Sequence, residues 1–361
     1  MSILDRTEAV VGYRDYAGTR WRSVGVLAGA LVALSLAAIT VGPTAISLER
    51  AVALLVAGPT ADGTTATIIW NIRIPRVLAA VVIGAGLALS GAVMQSVLNN
   101  PLGSPYTLGI SHAAMFGAAI AILALQAGAV EMGAAGGFAL DNPYLVTIAA
   151  FVASLASTGV ILALATYRGA SPETMILTGI ALSSLFTAGT TAIQYVASQN
   201  ELASIVFWSF GDVARATWTN LALMGIVLVP AAAYFLRHSW AYNALDAGDE
   251  TARSVGVDVD SVRNRGMVVA SFVTALGVSF VGIIGFVGLV VPHITRKLVG
   301  NNKEFLLPVS GLLGGLLLLV SDTAARTALA PTVVPVGIVT SFVGAPFFIY
   351  LVVRGREYWR E

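Results

Sequence analysis

Residues 267–294 read MVVASFVTALGVSFVGIIGFVGLVVPHI, and the fold turns on how this stretch is divided. Its 28 residues include no charged side chain. A helix needs about 20 apolar residues to cross about 30 Å of hydrocarbon. The stretch is therefore long for one crossing and short for two full ones. Gly282, Gly285 and Gly288 lie in its middle and Pro292 near its end, and such residues interrupt helices. The pattern predicts a full span, a break at the glycines and a short returning span.

Eight further apolar segments flank it: Val24–Gly42, Val77–Leu98, Leu108–Val130, Tyr144–Thr166, Met175–Ala197, Leu221–Leu236, Phe305–Thr327 and Pro335–Val353. The composition agrees with a membrane protein. Hydrophobic residues make up 57% of the 361 and charged residues 11%, against about 25% charged in soluble proteins. A mean hydropathy of +0.84 leaves too little polar surface to cover a water-exposed globule. The first 22 residues are polar, and the apolar segment after them is longer than a signal-peptide core. The first span is thus expected to be retained.

Charge bias decides the count, because cytoplasmic loops collect Lys and Arg. With ten spans both termini are cytoplasmic, and 15 basic residues lie inside. These are Arg6, Arg14, Arg20, Arg22, Arg168, Arg237, Arg253, Arg263, Arg265, Arg296, Lys297, Lys303, Arg354, Arg356 and Arg360. Arg50, Arg73, Arg76, Arg215 and Arg326 remain outside. Nine spans would expel both the Arg296–Lys303 loop and the basic tail. The expectation is an all-α integral membrane protein with ten transmembrane helices. It forms one domain over residues 1–361, with a cytoplasmic tail (1–23) and a cytoplasmic segment at 239–265. The Gly311/Gly315 and Gly84/Ala88 pairs suit close helix packing.

Several chemistries find no residues. Cysteine is absent, which removes disulfides and thiolate metal sites. A net charge of +1 gives no basic field for nucleic acid. His112, His238 and His293 are not spaced as metal ligands. Neither lysine follows a glycine, so there is no phosphate-binding P-loop. Gly84, Gly86 and Gly91 mimic a dinucleotide fingerprint, but with the wrong spacing and inside a membrane helix. No metal, cofactor or catalytic residue is expected.

An ion-coupled secondary carrier of a small solute is the alternative reading. Such carriers place ionisable groups near the bilayer midplane, where this sequence has essentially none. Asp322 and Arg326 sit one helical turn apart near a span end and can neutralise each other. An intramembrane enzyme would need buried catalytic groups, yet Ser111 beside His112 would face elsewhere on a helix. The absence of an internal energy source points to an external engine.

Two polar segments could meet partners. Ser239 to Arg265 reads as two short helices. Ser239 caps the first, which stops at Gly248; Asp249 caps the second, which stops at Gly256. Ala244, Leu245, Ala252 and Val255 would form a small exposed apolar ridge. Asp246, Asp249, Glu250, Arg253, Asp258, Asp260, Arg263 and Arg265 would surround it. That knob suits a groove on a soluble partner, or is simply a solvated loop. On the other side, Trp70-Asn71-Ile72-Arg73-Ile74-Pro75-Arg76 sets two arginines three apart at a span entry. They are either headgroup anchors or fixed charges for a carboxylate-bearing partner.

Ordered blocks then carry a resemblance. They are Ile72–Arg76, Ser90–Gln95 (SGAVMQ), Asn100-Pro101-Leu102, Leu245–Glu250 (LDAGDE), Ile284–His293 (IGFVGLVVPH), Pro335–Thr340 (PVGIVT) and Gly344–Phe348 (GAPFF). Together, over about Ile69 to Val353, the chain resembles the permease family of ATP-driven importers for ferric siderophores, haem and cobalamin. The resemblance implies the type II ABC importer architecture: a homodimer of ten-span subunits in the cell (plasma or inner) membrane. Two separate ATPase subunits would sit on the cytoplasmic side and a substrate-binding protein outside. It places the ATPase-coupling helices within Ser239–Val257, giving that role to Leu245, Asp246, Gly248, Asp249, Glu250, Ala252, Arg253, Val255 and Gly256. It makes Arg73, Arg76 and Arg326 similar to arginines that meet acidic residues of the binding protein. Asn100 and Leu102 match the cytoplasmic gate turn, and Ser171–Thr174 falls in a second gate region, although Pro172-Glu173 departs from the polar run expected there. A lining almost free of mid-span charge favours a bulky, nearly neutral cargo. Arg73–Arg76 and Ser90–Gln95 resemble cobalamin permeases in particular, with ferric siderophores close behind and haem third.

Overall fold

The computed structural model describes residues 3–42, 44, 46–124, 130–132, 138–140, 143–167, 171–329 and 332–354. Arg168, Arg356 and Arg360 of the expected inner set lie outside these residues, as do the side chains of Arg6, Arg14 and Arg354. The chain begins with α1 (Ile3–Thr40), α2 (Leu48–Ala57) and α3 (Thr64–Thr67). A π-helical turn, Ile68–Arg73, joins α3 to α4 (Ile74–Val97), and α5 (Ile110–Ala124) follows. A small antiparallel hairpin of β1 (Val130–Met132) and β2 (Phe138–Leu140) precedes α6 (Pro143–Tyr167). Next come α7 (Pro172–Val196), α8 (Gln199–Ser209) and α9 (Trp218–Arg237). Two short helices, α10 (Ser239–Asp246) and α11 (Asp249–Ser254), lead into α12 (Val259–Val281). The bundle is completed by α13 (Val287–Val299), α14 (Lys303–Ala325) and α15 (Val336–Arg354).

Among the described residues, seven helices are both long and apolar enough to cross a membrane, so length alone does not reach ten. The shorter apolar helices are α5 and the Val336–Tyr350 part of α15, and α13 adds 13 residues. Of the span expected over Leu108–Val130, the described residues are helical over Ile110–Ala124, Val130 belongs to β1, and residues 125–129 lie outside the described set. Gly109, with φ +79°, sets the boundary at the near end.

The decisive stretch divides at its glycines. α12 starts where the Asp258 side chain accepts from the Ser261 amide at 3.1 Å, and it stops at Gly282, whose φ is +81°. Backbone between helices must find partners when it lies away from water. Here the Asp212 amide donates to the Val281 carbonyl at 2.8 Å, and the Gly337 amide donates to the Gly211 carbonyl at 2.9 Å. Phe210 and Ile283 form a parallel bridge beside them. Gly211 is required by closeness: a Cβ there would lie 2.2 Å from the Ile283 carbonyl oxygen. Phe286 opens α13 with φ +66°, a left-handed conformation that is costly for a bulky residue.

α4 is the central post, buried over nearly all of its length. It is packed backbone to backbone against two neighbours. A Cβ on Gly91 would sit 1.8 Å from the Gly288 carbonyl oxygen of α13, and one on Gly84 would sit 2.2 Å from the Gly314 carbonyl oxygen of α14. Gly84 and Ala88 therefore meet Gly314, whereas Gly311 makes only ordinary contact with Leu89. Such approach gains dispersion contacts where no hydrophobic drive exists between helices and lipid. At 1.5 Å per residue, the 24 residues of α4 hold its two ends about 36 Å apart.

Candidate functional site

The first end of α4 is an arginine cluster. The spacing of Arg73 and Arg76 suggests surface side chains, but Arg73 is only 4% exposed, and Arg326 only 3%. The reason lies in α1, whose last carbonyls have no intrahelical partner. Arg73 donates to Ile39 O at 2.7 Å and Thr40 O at 2.9 Å, and also bonds Thr44. Arg326 donates to Ala38 O at 2.8 Å and Val41 O at 2.9 Å. Two cations thus cap the negative end of the α1 dipole.

Arg76 turns to Asp322, which is fully buried, and binds it in a fork with contacts of 2.8, 3.0 and 3.1 Å. The Asp322–Arg326 pair expected from the sequence is present at 3.6 Å, so one carboxylate serves two arginines. Asp212 stands 3.9 Å from Arg76 at the edge of the cluster. Nearby, Arg215 gathers the carbonyls of Phe207, Trp208 and Phe210 at the end of α8. Burial, opposed in part by Asp212, holds its pKa below the usual arginine value.

The second end of α4 carries the knob. Both helices form, and Gly248 and Gly256 have φ of +103° and +84°. The caps differ from expectation: Ser239 and Asp249 are the first helical residues, preceded by His238 and Gly248. The apolar ridge also differs. Leu245 and Ala252 are buried, because the knob folds back onto the bundle with Val97, Val257 and Val259. Ala244 is partly buried, and only Val255 is exposed. The outer surface includes Trp240 and Ala247 together with Glu250, Thr251, Arg253, Ser254 and Val255. Burial raises the Tyr242 hydroxyl pKa above the usual phenol value.

Two acids, one on either side of the Ala247–Gly248 joint, anchor the knob to different helices. Asp246 accepts from Lys303 Nζ at the start of α14 and from Asn301 Nδ2 at 2.7 Å. Asn243 supports that anchor, accepting from the Lys303 amide at 2.9 Å and donating to Asn302 at 3.0 Å. Asp249 accepts from Arg263 of α12 at 2.8 and 3.0 Å. In the sequence Lys303 only adds to the inner charge, and Arg263 stands in the charged ring around the expected ridge rather than as a buried anchor. A signal for Arg263 existed. Val259, Arg263, Met267, Ala270 and Thr274 share one buried helical face, so an arginine occupied an apolar stripe.

The turn expected at the gate follows α4 directly. Asn99 has φ +43°, Asn100 Oδ1 accepts from the Leu102 amide at 2.8 Å, and Leu102 is exposed. Ser171–Thr174 is a helix start rather than a polar run: Ser171 Oγ accepts from the Thr174 amide and Pro172 takes the first turn of α7. A cavity of about 330 Å³ joins these parts, lined by Leu98, Asn99, Ser171 and Glu173 together with Asp249 and Arg263. A second cavity, about 290 Å³, lies against the α12–α13 break and holds no charged residue; Tyr106, Phe210, Ile283, Phe286, Ser341 and Phe342 contribute to it.

The chain compares closely with known proteins. The model of the FecCD transport family matches residues 30–354. A cobalamin import system permease from Halobacterium salinarum is 39% identical over 300 residues, covering 81% of this chain and 75% of that protein. A hemin transport system permease from Yersinia pestis is 37% identical over 290 residues, covering 80% and 84%. A metal-chelate type ABC transporter solved in an inward-facing conformation superposes with TM-score 0.78 at 30% identity, over 92% of this chain and 99% of that one.

Proposed function

We propose a working cycle for this chain from the premise that it belongs to the FecCD transport family and is the membrane permease of an ABC importer of metal chelates. Two such subunits form the pathway between them. Separate ATPase subunits grip the α10–α11 knob on the cytoplasmic side, and a binding protein delivers cargo to the opposite face. The supporting observation is the knob itself: it is a compact, charged surface tied by Asp246 and Asp249 to two helices that run the depth of the bundle. ATP binding and hydrolysis would move it and rock the subunits between outward- and inward-open states.

In this reading ten segments cross the membrane, with α5, α13 and α15 joining the seven longer helices and both termini on the cytoplasmic side. The arginine end is external. Arg73, Arg76 and Arg326 shape the docking face for the binding protein from beneath, by fixing α1, α4 and α14 relative to one another. Asn100 and Leu102 act at the cytoplasmic gate. Leu177, Ile180 and Leu185 of α7, and Phe342 and Val343 of α15, are exposed apolar residues that fit a second copy or lipid.

The cargo is a bulky, nearly neutral chelate, with cobalamin first and ferric siderophores second. An uncharged cavity at the α12–α13 break supports that choice, since charge on a chelate would call for opposite charge along the lining. The test is uptake into vesicles holding the permease, ATPases and binding protein, with cobalamin, a ferric siderophore or haem offered separately. Cobalamin accumulation alone is the expected result; accumulation of a ferric siderophore without cobalamin would overturn the assignment.

A further inference from the structure

We propose that Arg263 is the positioning residue that carries displacement of the knob to the gate turn, an inference that rests on reading α10–α11 as the ATPase-coupling segment. The side chain is 2% exposed and ties its own helix to two other elements at once. Nε donates to the Val97 carbonyl at 2.7 Å, the last residue of α4. Nη2 donates to both Asp249 oxygens, at the first residue of α11. The stem is rooted on the buried face of α12. A planar guanidinium with fixed donors passes on direction as well as attraction, which a flexible ammonium cannot do.

What lies beyond Val97 makes that contact consequential. The Asn99 amide bonds back to Ser96, the Asn100 amide to Gln95, and the Gly103 amide to Asn100. With the Asn100 Oδ1 contact to Leu102, residues 97–103 form one bonded unit that would move with its first carbonyl. The cavity beside it, shared with Ser171 and Glu173, gives that unit and the start of α7 room to shift. On the far side of the Gly248 joint, Asp246 is held to α14. Rotation of the knob about Gly248 would therefore load the Asp249–Arg263 contact rather than drag the whole segment. A merely structural arginine would satisfy Val97 and Asp249 equally, but would leave gate movement independent of the pair.

The protein has no cysteine, so Leu102→Cys at the exposed gate position supplies a single reporter thiol. The complex with its ATPase subunits and binding protein is placed in nanodiscs, and thiol labelling rates are compared with and without ATP. The Leu102→Cys parent should change its rate by about five- to tenfold on adding ATP. Adding Asp249→Asn should shrink that response to within about twofold in complexes that retain the ATPases. Asp249→Glu, which keeps the pair, should restore most of the response. Arg263→Gln should match Asp249→Asn if it folds, and the Asp249 pair decides the matter if it does not. A full ATP response in Asp249→Asn overturns the proposal, as does loss of the ATPases from that variant, which would make the pair part of the dock. A parent complex that retains no ATPase ends the coupling reading, and the proposal with it.

Discussion

Replacing Asp322 by asparagine keeps the side-chain shape and removes the charge on which two buried arginines converge. Asp322 is fully buried, accepts a fork from Arg76 and lies 3.6 Å from Arg326. Removing one member of a buried pair costs about 3–5 kcal/mol, because the remaining charge stays desolvated. Asp212, 3.9 Å from Arg76 and partly exposed, can recover only about 1 kcal/mol. A net loss of about 3 kcal/mol remains, or roughly a hundredfold in the unfolding equilibrium. Unfolding by denaturant in mixed micelles measures it. The Asp322→Asn, Arg76→Gln double variant should lose at least about 1 kcal/mol less than the sum of its singles. A single-variant cost below about 0.5 kcal/mol, the range of surface substitutions, would refute the idea that this cluster pins α4 to α14.

Other expectations address the remaining parts. Gly91→Ala would drive a methyl group against the Gly288 carbonyl, since its Cβ would lie 1.8 Å from that oxygen; overpacking should cost about 1–3 kcal/mol or more, and a parental unfolding curve would contradict the close α4–α13 contact. Reversing charge at Glu250 and Arg253, both on the outer knob surface, should strip the ATPases from the complex on size-exclusion chromatography, and co-elution at full stoichiometry would move the dock elsewhere. Lys297→Cys, exposed near the end of α13, should react with a membrane-impermeant thiol reagent only in inside-out vesicles; labelling of intact cells would end the ten-span topology. Arg73→Glu should destabilise the protein, since it sets a carboxylate against the carbonyls of α1; weaker binding-protein docking with unchanged stability would show instead a surface role for that arginine.

Much of the bundle was legible because the bilayer imposes a simple length and hydropathy requirement. The break at Gly282 followed from three glycines in an apolar run too long for one helix. The placing of Val130 in a strand did not, because an apolar run does not say which of its residues pair in a hairpin. The knob shows both sides of the matter. Gly248 and Gly256 mark helix stops by their φ values, but which face of a six-residue helix turns inward depends on what packs behind it. Leu245 and Ala252 went inward because the end of α4 and the start of α12 offered an apolar seat. The burial of two arginines is hidden from the sequence for a related reason. Arg73 and Arg326 find their acceptors on α1, more than thirty and more than two hundred and eighty residues away in sequence, and no local pattern announces such a partner. Arg263 was partly readable from its place on an apolar helical face, although the two acceptors it bonds could come only from the fold.

In the proposed cycle this chain opens a path while other subunits supply the energy, and reconstitution separates the two roles. Proteoliposomes carrying the permease alone should show no concentrative uptake of a metal chelate under any imposed proton or sodium gradient. Adding the ATPase subunits, the binding protein and ATP should start it. Gradient-driven accumulation by the permease alone would contradict the account.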